Sequence, residues 1–217
     1  MLSKIVRFLR PAFVLLAVFI VLGCAIAAFQ VSRTLQQLTI VETARDEWQR
    51  PADIIGALNL KPNSTVVDLG CGSGYFALKL SSAVNSGGTV LAIDIRRIPL
   101  AFLWFSSALR GQRNVRLTLA DPDNSHLPQN AVNSVLIANT YHELDNPSAV
   151  LTQIFHSLIP GGRLVIADPT QTERGKLSTN AVESELRIRG FEMLSRDDQF
   201  LNQPGRRTWS LIVARKP

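Results

Sequence analysis

Hydrophobic and polar positions change pattern twice along the chain. Residues 11–29 (PAFVLLAVFIVLGCAIAAF) are nineteen in a row without a charge. As a helix rising about 1.5 Å per residue they reach roughly 28 Å, close to the ~30 Å hydrocarbon core of a bilayer. A membrane-spanning or membrane-embedded helix is expected there. Residues 34–50 read as a polar, partly helical connector. From Pro51 onward, short apolar runs rich in β-branched residues alternate with segments of helical period. Strands are predicted at 65–69, 89–93, 115–119, 134–138 and 163–167, and helices near 75–84, 99–110 and 148–158. Gly87-Gly88 and Pro160-Gly161-Gly162 punctuate two helix-to-strand turns. Short buried strands in such alternation predict an α/β domain, a mostly parallel sheet with helices on both faces. Runs at 191–194 and 208–214, separated by Asn202-Gln203-Pro204-Gly205 with no helix between, predict an antiparallel hairpin at one edge. Three regions follow: an anchor or signal segment at 1–33, a connector at 34–50 and one domain at 51–217.

Charge sharpens this division. Residues 1–33 hold Lys4, Arg7, Arg10 and Arg33 with no acid, whereas the remainder holds 19 basic and 17 acidic residues. The overall charge of +6 therefore comes mostly from the N-terminus and is no footprint of nucleic-acid binding. Two cysteines, Cys24 and Cys71, exclude a disulfide scaffold and a multi-cysteine zinc module. Val21-Leu22-Gly23-Cys24 loosely matches a bacterial lipoprotein cleavage box, but the apolar run continues past Cys24 through Phe29, which suits a retained anchor better.

The chemistry is written after the first strand, in Val66-Val67-Asp68-Leu69-Gly70-Cys71-Gly72-Ser73-Gly74-Tyr75-Phe76. Glycines at alternate positions between a buried strand and a helix let the backbone turn tightly and approach a ligand closely. Gly72-Ser73-Gly74-Tyr75-Phe76-Ala77 also satisfies a dinucleotide-binding pattern, so the glycines alone do not choose a ligand. Asp68 does choose. A pyrophosphate beside it would be repelled, whereas an ammonium group would be attracted. S-adenosylmethionine carries such an α-amino group and no phosphate. Asp94 closes the second strand, where one carboxylate can accept from both vicinal ribose hydroxyls. Asp121 follows the third strand and could accept from an adenine amine, or serve a turn with Pro122 and Asp123. Arg96-Arg97 reads as a solvated basic turn.

Together these residues, with Asn139-Thr140-Tyr141-His142-Glu143-Leu144 and Pro160-Gly161-Gly162-Arg163-Leu164-Val165-Ile166, resemble the class I S-adenosylmethionine-dependent methyltransferases over about residues 45–217. The resemblance implies a Rossmann-like three-layer sandwich. Its seven-stranded sheet would be mostly parallel with an antiparallel last strand, preceded here by the N-terminal hydrophobic helix. It implies S-adenosylmethionine as cofactor, with Asp68, Gly70, Cys71, Gly72 and Gly74 around the methionine part, Asp94 on the ribose and Asp121 at the adenine. Ile95 and Asn139 are cofactor contacts as well. The segment Glu47-Trp48-Gln49-Arg50-Pro51 looks like the flank that closes over the cofactor in small-molecule members, and Trp48 would serve ordinary packing equally well.

Methyl transfer is an in-line displacement that needs alignment and, for some acceptors, a base; no metal is required. His142 stands after the fourth strand as a candidate base or as a hydrogen-bonded structural histidine, and Tyr141 as a candidate catalytic or pocket-wall residue or as a core residue. The Asn/Asp-Pro-Pro-Tyr/Phe signature of members that methylate amide or exocyclic amine nitrogen is absent, so a small or lipophilic acceptor, methylated on oxygen, sulfur, nitrogen or carbon, is favoured over nucleic acid. The segment 98–105 (IPLAFLWF) is apolar almost all round and is flanked by Arg96, Arg97, Arg110, Arg113 and Arg116. Cover by the connector accounts for such a helix, and contact with an anionic membrane surface is the alternative. The basic residues ahead of the apolar run favour a cytoplasmic N-terminus, which for a single span exports the domain. A cytosolic cofactor argues for the opposite placement, and a monotopic anchor reconciles the two. The rival readings are an NAD(P)-dependent oxidoreductase and a non-catalytic, membrane-tethered cofactor-binding module.

Overall fold

The computed structural model describes residues 2–217 except 86, 123 and 174, and among these the side chains of all but 2–14, 34, 35, 38, 39 and 176. The side chains of Lys4, Arg7 and Arg10, and Asp123 with its expected turn role, lie outside the described residues. Helix α1 runs Leu2–Gln49. The apolar run and the connector are therefore one continuous helix, with no break at 33/34. Within it Leu15–Arg33 is apolar, long enough to cross a membrane and exposed along its length. The chain divides between Glu47 and Trp48 into two compact units.

In the second unit, Arg50 takes a left-handed conformation and Pro51 opens α2 (Pro51–Ala57), proline being preset for the first helical turn. Then follow β1 (Thr65–Leu69), α3 (Tyr75–Ala83), β2 (Thr89–Asp94), α4 (Arg97–Leu109), β3 (Val115–Leu119) and β4 (Val132–Ala138). After these come α5 (Pro147–Ser157), β5 (Leu158–Pro169), a two-stranded ribbon β6 (Gln171–Thr172) and β7 (Gly175–Lys176), α6 (Thr179–Ile188), β8 (Glu192–Leu201) and β9 (Trp209–Arg215). The main sheet has seven strands in the order β3-β2-β1-β4-β5-β9-β8. The strands from β3 to β5 are parallel, and β9 runs antiparallel to both β5 and β8. This is the Rossmann-like sheet with an antiparallel last strand.

Central strands are buried on both faces, which is why they read as unbroken apolar runs. Val66 faces a core shared with α2, α3 and α4, whereas its neighbour Val67 faces the core of α5 and α6. The C-terminal ends of β1, β2, β4 and β5 thus come side by side, with Asp68 opposite Ala92 and Leu136. Two boundaries differ most from the sequence reading. Strand β5 starts at Leu158, opposite Val132, and passes Pro160-Gly161-Gly162 over a register shift. Strand β8 is ten residues long, because most of its side chains lie exposed on the sheet edge and leave no apolar run to read.

Candidate active site

The turn after β1 is tied to its neighbours by the main chain. The amides of Gly70 and Cys71 both donate to the Ile93 carbonyl, at 2.8 and 3.0 Å, and Gly74 donates to Cys71 at 2.9 Å. Gly70 has φ +75°, and a Cβ there would collide with the Thr140 side chain. The loop after β4 therefore lies directly on the glycine turn. At Gly72 (φ +54°) the situation reverses. A Cβ would meet only Arg96 Nη2, at 3.8 Å, so there is room beside this residue. Asp68 is 2% exposed, and Cys71 is buried beside it. Burial, and then the nearby carboxylates of Asp68 and Asp94, push the Cys71 thiol up, which disfavours the thiolate.

Asp94, 4% exposed at the end of β2, is gripped rather than free. Its Oδ2 accepts from the Gly72 amide at 2.8 Å and its Oδ1 from the Arg96 amide at 2.9 Å. The Arg96 guanidinium adds Nε to Oδ1 at 3.1 Å and Nη2 to Oδ2 at 3.3 Å. Burial alone would raise this carboxyl, but the Arg96 and Gly72 hydrogen bonds hold it below the usual carboxylate range. Arg96 is solvated as expected, its side chain 58% exposed, and it also pairs with the carboxylate expected to meet a ribose. Ile95 is exposed next to it. Asp121 lies beyond Ala120, whose amide donates to the Asp94 carbonyl at 3.0 Å. It closes a tight turn with Asn124, and its Oδ2 meets His126 Nε2 at 3.0 Å on the surface.

The third part is the segment after β4. Asn139 takes a left-handed conformation (φ +56°) and its amide donates to the Ala167 carbonyl of β5 at 2.9 Å. Tyr141 turns inward, 5% exposed in the α5–α6 core, and burial pushes its hydroxyl up to about 12. Of its two expected roles, packing is the one seen. His142 turns the other way, to Asp168 at the end of β5. Both its backbone amide and its Nδ1 lie 2.9 Å from Asp168 Oδ2. Asp168 is 0% exposed, and its burial raises the carboxyl against the opposing pull of His142. A proton on Nδ1, facing the carboxylate, would leave Nε2 as the acceptor nitrogen. Glu143 Oε1 is 3.9 Å from that Nε2, and the same carboxylate acts on the Arg96 guanidinium. The imidazole edge and the covered Asp94 therefore share one electrostatic neighbourhood.

Residues 60–210 match a family model described as a methyltransferase domain. The chain belongs to this methyltransferase-domain family. A methyltransferase structure from Aquifex aeolicus, titled as S-adenosylmethionine-dependent, superposes with a TM-score of 0.71 at 25% identity, covering 80% of this chain and 93% of that one. The demethylmenaquinone methyltransferase of Lactiplantibacillus plantarum is 29% identical over 129 residues, 58% of this chain and 53% of that protein. The ubiquinone/menaquinone biosynthesis C-methyltransferase of Wigglesworthia glossinidia brevipalpis is 27% identical over 108 residues, 49% of this chain and 43% of that protein. The chain spans about half the length of these curated relatives, or less.

Within the methyltransferase domain, the structure brings Asp68, Gly70, Cys71, Gly72, Gly74, Asp94, Ile95, Asn139 and His142 to one edge of the sheet, with Asp121 at its outer end. Sequence reasoning missed Asp168. The signal was present, since an aspartate closes β5 in Val165-Ile166-Ala167-Asp168 as Asp94 closes β2. Trp48 packs edge-on against Trp209, ring centroids 5.9 Å apart, with the Arg206 guanidinium over its other face. That is its packing role.

Proposed function

We propose that this protein is an S-adenosylmethionine-dependent methyltransferase that methylates a small, lipophilic acceptor at a membrane. One observation carries the reading: Gly72 with the room beside it, the doubly clamped Asp94 carboxylate and the His142–Asp168 pair meet at the ends of adjacent strands. The room beside Gly72 and the buried carboxylate of Asp68 fit the amino-acid part of the cofactor, and Asp94 fits the ribose once Arg96 swings aside. Asp121 and Ile95 fit the adenine. S-adenosylmethionine, when bound, supplies a methyl group on a sulfonium that departs as a neutral thioether. The chain's own work is to align the acceptor and take its proton. His142 Nε2 accepts that proton as the acceptor atom bonds the methyl carbon, and Asp168 holds the ring and offsets the imidazolium charge that forms. Asp168 is a positioning residue.

Relatives named for quinone methylation, together with the apolar length of α1, support an acceptor of quinol or phenol type dissolved in lipid. We place the domain on the cytosolic face, held by α1 as a single-pass or monotopic anchor. The test uses the full chain in vesicles with methyl-labelled S-adenosylmethionine and a bacterial lipid extract. Label should appear in a lipid-soluble aromatic product. Label confined to water-soluble products overturns the lipophilic acceptor, and no label in any product overturns the enzyme. In sealed inside-out vesicles, added protease should digest the domain without lysis; digestion only after lysis overturns the cytosolic placement.

A further inference from the structure

Helix α4 has an apolar exterior as well as an apolar interior. Leu100 and Leu103 face the sheet, buried. On the opposite side Ile98, Phe102, Phe105 and Leu109 fall at spacings of four, three and four residues, which makes a single stripe about 16 Å long. Ile98 is 85% exposed, and Trp104, flanking the stripe, is 64% exposed. A helix that covers one face of a sheet ordinarily turns polar side chains to water. The stripe is also bordered by one sign of charge. Residues 95–120 contain five arginines and no acid, whereas the rest of 34–217 holds 14 basic and 17 acidic residues. Arg97 is exposed at one end of the stripe, and Arg113 and Arg116 beyond the other.

We infer that the outer face of α4 docks in the plane of a bilayer bearing anionic lipid headgroups. Its aromatic and aliphatic side chains enter the boundary between headgroups and acyl chains, and the arginines at both ends meet lipid phosphates. The charge pattern selects this occupant: a second copy of the same patch would set arginine against arginine, whereas anionic headgroups neutralise it. Helix α4 begins three residues after Asp94, so docking holds the cofactor edge of the sheet at the lipid surface. The inference goes beyond anchoring by α1 and stands on α4 alone.

Trp104 is its own reporter, because Trp209 is buried and Trp48 packs against it, and residues 1–47 contain no tryptophan. The full chain is mixed with vesicles of phosphatidylglycerol and a phosphatidylcholine brominated in its acyl chains, which quench nearby indoles. Wild type should be quenched and Trp104→Phe, which keeps the apolar face, should not. Replacing phosphatidylglycerol by neutral phosphatidylcholine should reduce the quenching about twofold or more. Equal quenching of wild type and Trp104→Phe overturns the docking. Equal quenching on neutral and anionic vesicles overturns its anionic selectivity. A doubled mass in detergent, with Trp104 shielded from brominated lipid, would assign the face to a second copy and overturn it as well. Flotation with vesicles of neutral phosphatidylcholine, which the α4 face should hold least, compared with flotation of a variant lacking residues 1–33, reports the α1 anchor separately, so either reading can fail without the other.

Discussion

Asp168 decides what His142 can do. A histidine at the mouth of a site has two ring nitrogens and several rotamers, and only a fixed partner on one nitrogen commits the other to chemistry. Here a wholly buried carboxylate takes both the backbone amide and Nδ1 of the same residue, so position and ring orientation are fixed together. Asp168→Asn keeps the shape but can present an amide N–H to Nδ1, turning the ring's proton to Nε2 and removing the acceptor. The expected outcome is a loss of kcat on the order of 10²- to 10⁴-fold, the range for general-base catalysis and for a wrong tautomer, with the acceptor KM nearly unchanged. Steady-state kinetics on the folded variant check this. A variant that melts lower yet keeps kcat would show that the pair only holds the loop.

At the scale of elements, the site exists because two loops press on each other, the glycine turn after β1 and the Asn139–Thr140 segment after β4. Gly70 and Gly205 share φ +75°, but a Cβ at Gly70 meets Thr140 whereas one at Gly205 meets nothing within 4 Å. Gly205→Ala should therefore cost only the left-handed backbone penalty of about 1–2 kcal/mol. Gly70→Ala should add overpacking of about 1–3 kcal/mol. Urea denaturation of the two variants measures the difference directly; equal losses would mean that Thr140 yields without cost. Such contacts mark the limit of what a sequence displays. Strands β1, β2 and β4, buried on both faces, stand out as apolar runs; Asp68, Gly70 and Asp94 are legible because they sit within one residue of a strand end, and Gly72 and Gly74 because they follow in the same turn. Helix α6 escaped the reading because it is short and mostly polar, with only Thr179, Val182 and Leu186 of its ten residues buried. The pairing of His142 with Asp168 spans 26 residues and depends on the register of β4 on β5, with Ala138 opposite Ala167, which no local pattern encodes.

For the whole molecule, the two compact units separate the duties of the chain. Every residue assigned to cofactor or base lies beyond Glu47, so cofactor binding should stabilise the second unit without involving the apolar helix. A ligand that binds only the folded form at about 100 times its Kd adds about 2.7 kcal/mol. For a domain of 150–250 residues that amounts to a rise in Tm on the order of 5–10 °C. S-adenosylhomocysteine, which shares the amino-acid and ribose groups of the methyl donor, should produce this rise in detergent-solubilised full-length protein. Asp94→Ala removes the carboxylate that meets the ribose, and the loss of charge-assisted hydrogen bonds should weaken affinity by about 1–3 kcal/mol. At unchanged ligand concentration the rise should then shrink to about 4–7 °C for a loss of about 1 kcal/mol and to about 1 °C for a loss of about 3 kcal/mol, while the Tm without ligand records how much the Gly72 and Arg96 clamp contributes to folding. NAD should leave Tm where it was, because its pyrophosphate would have to settle on the turn beside the Asp68 carboxylate. A rise with NAD and none with S-adenosylhomocysteine would overturn the methyl-donor assignment. A rise with S-adenosylhomocysteine that Asp94→Ala leaves undiminished would move the ribose elsewhere on the same edge.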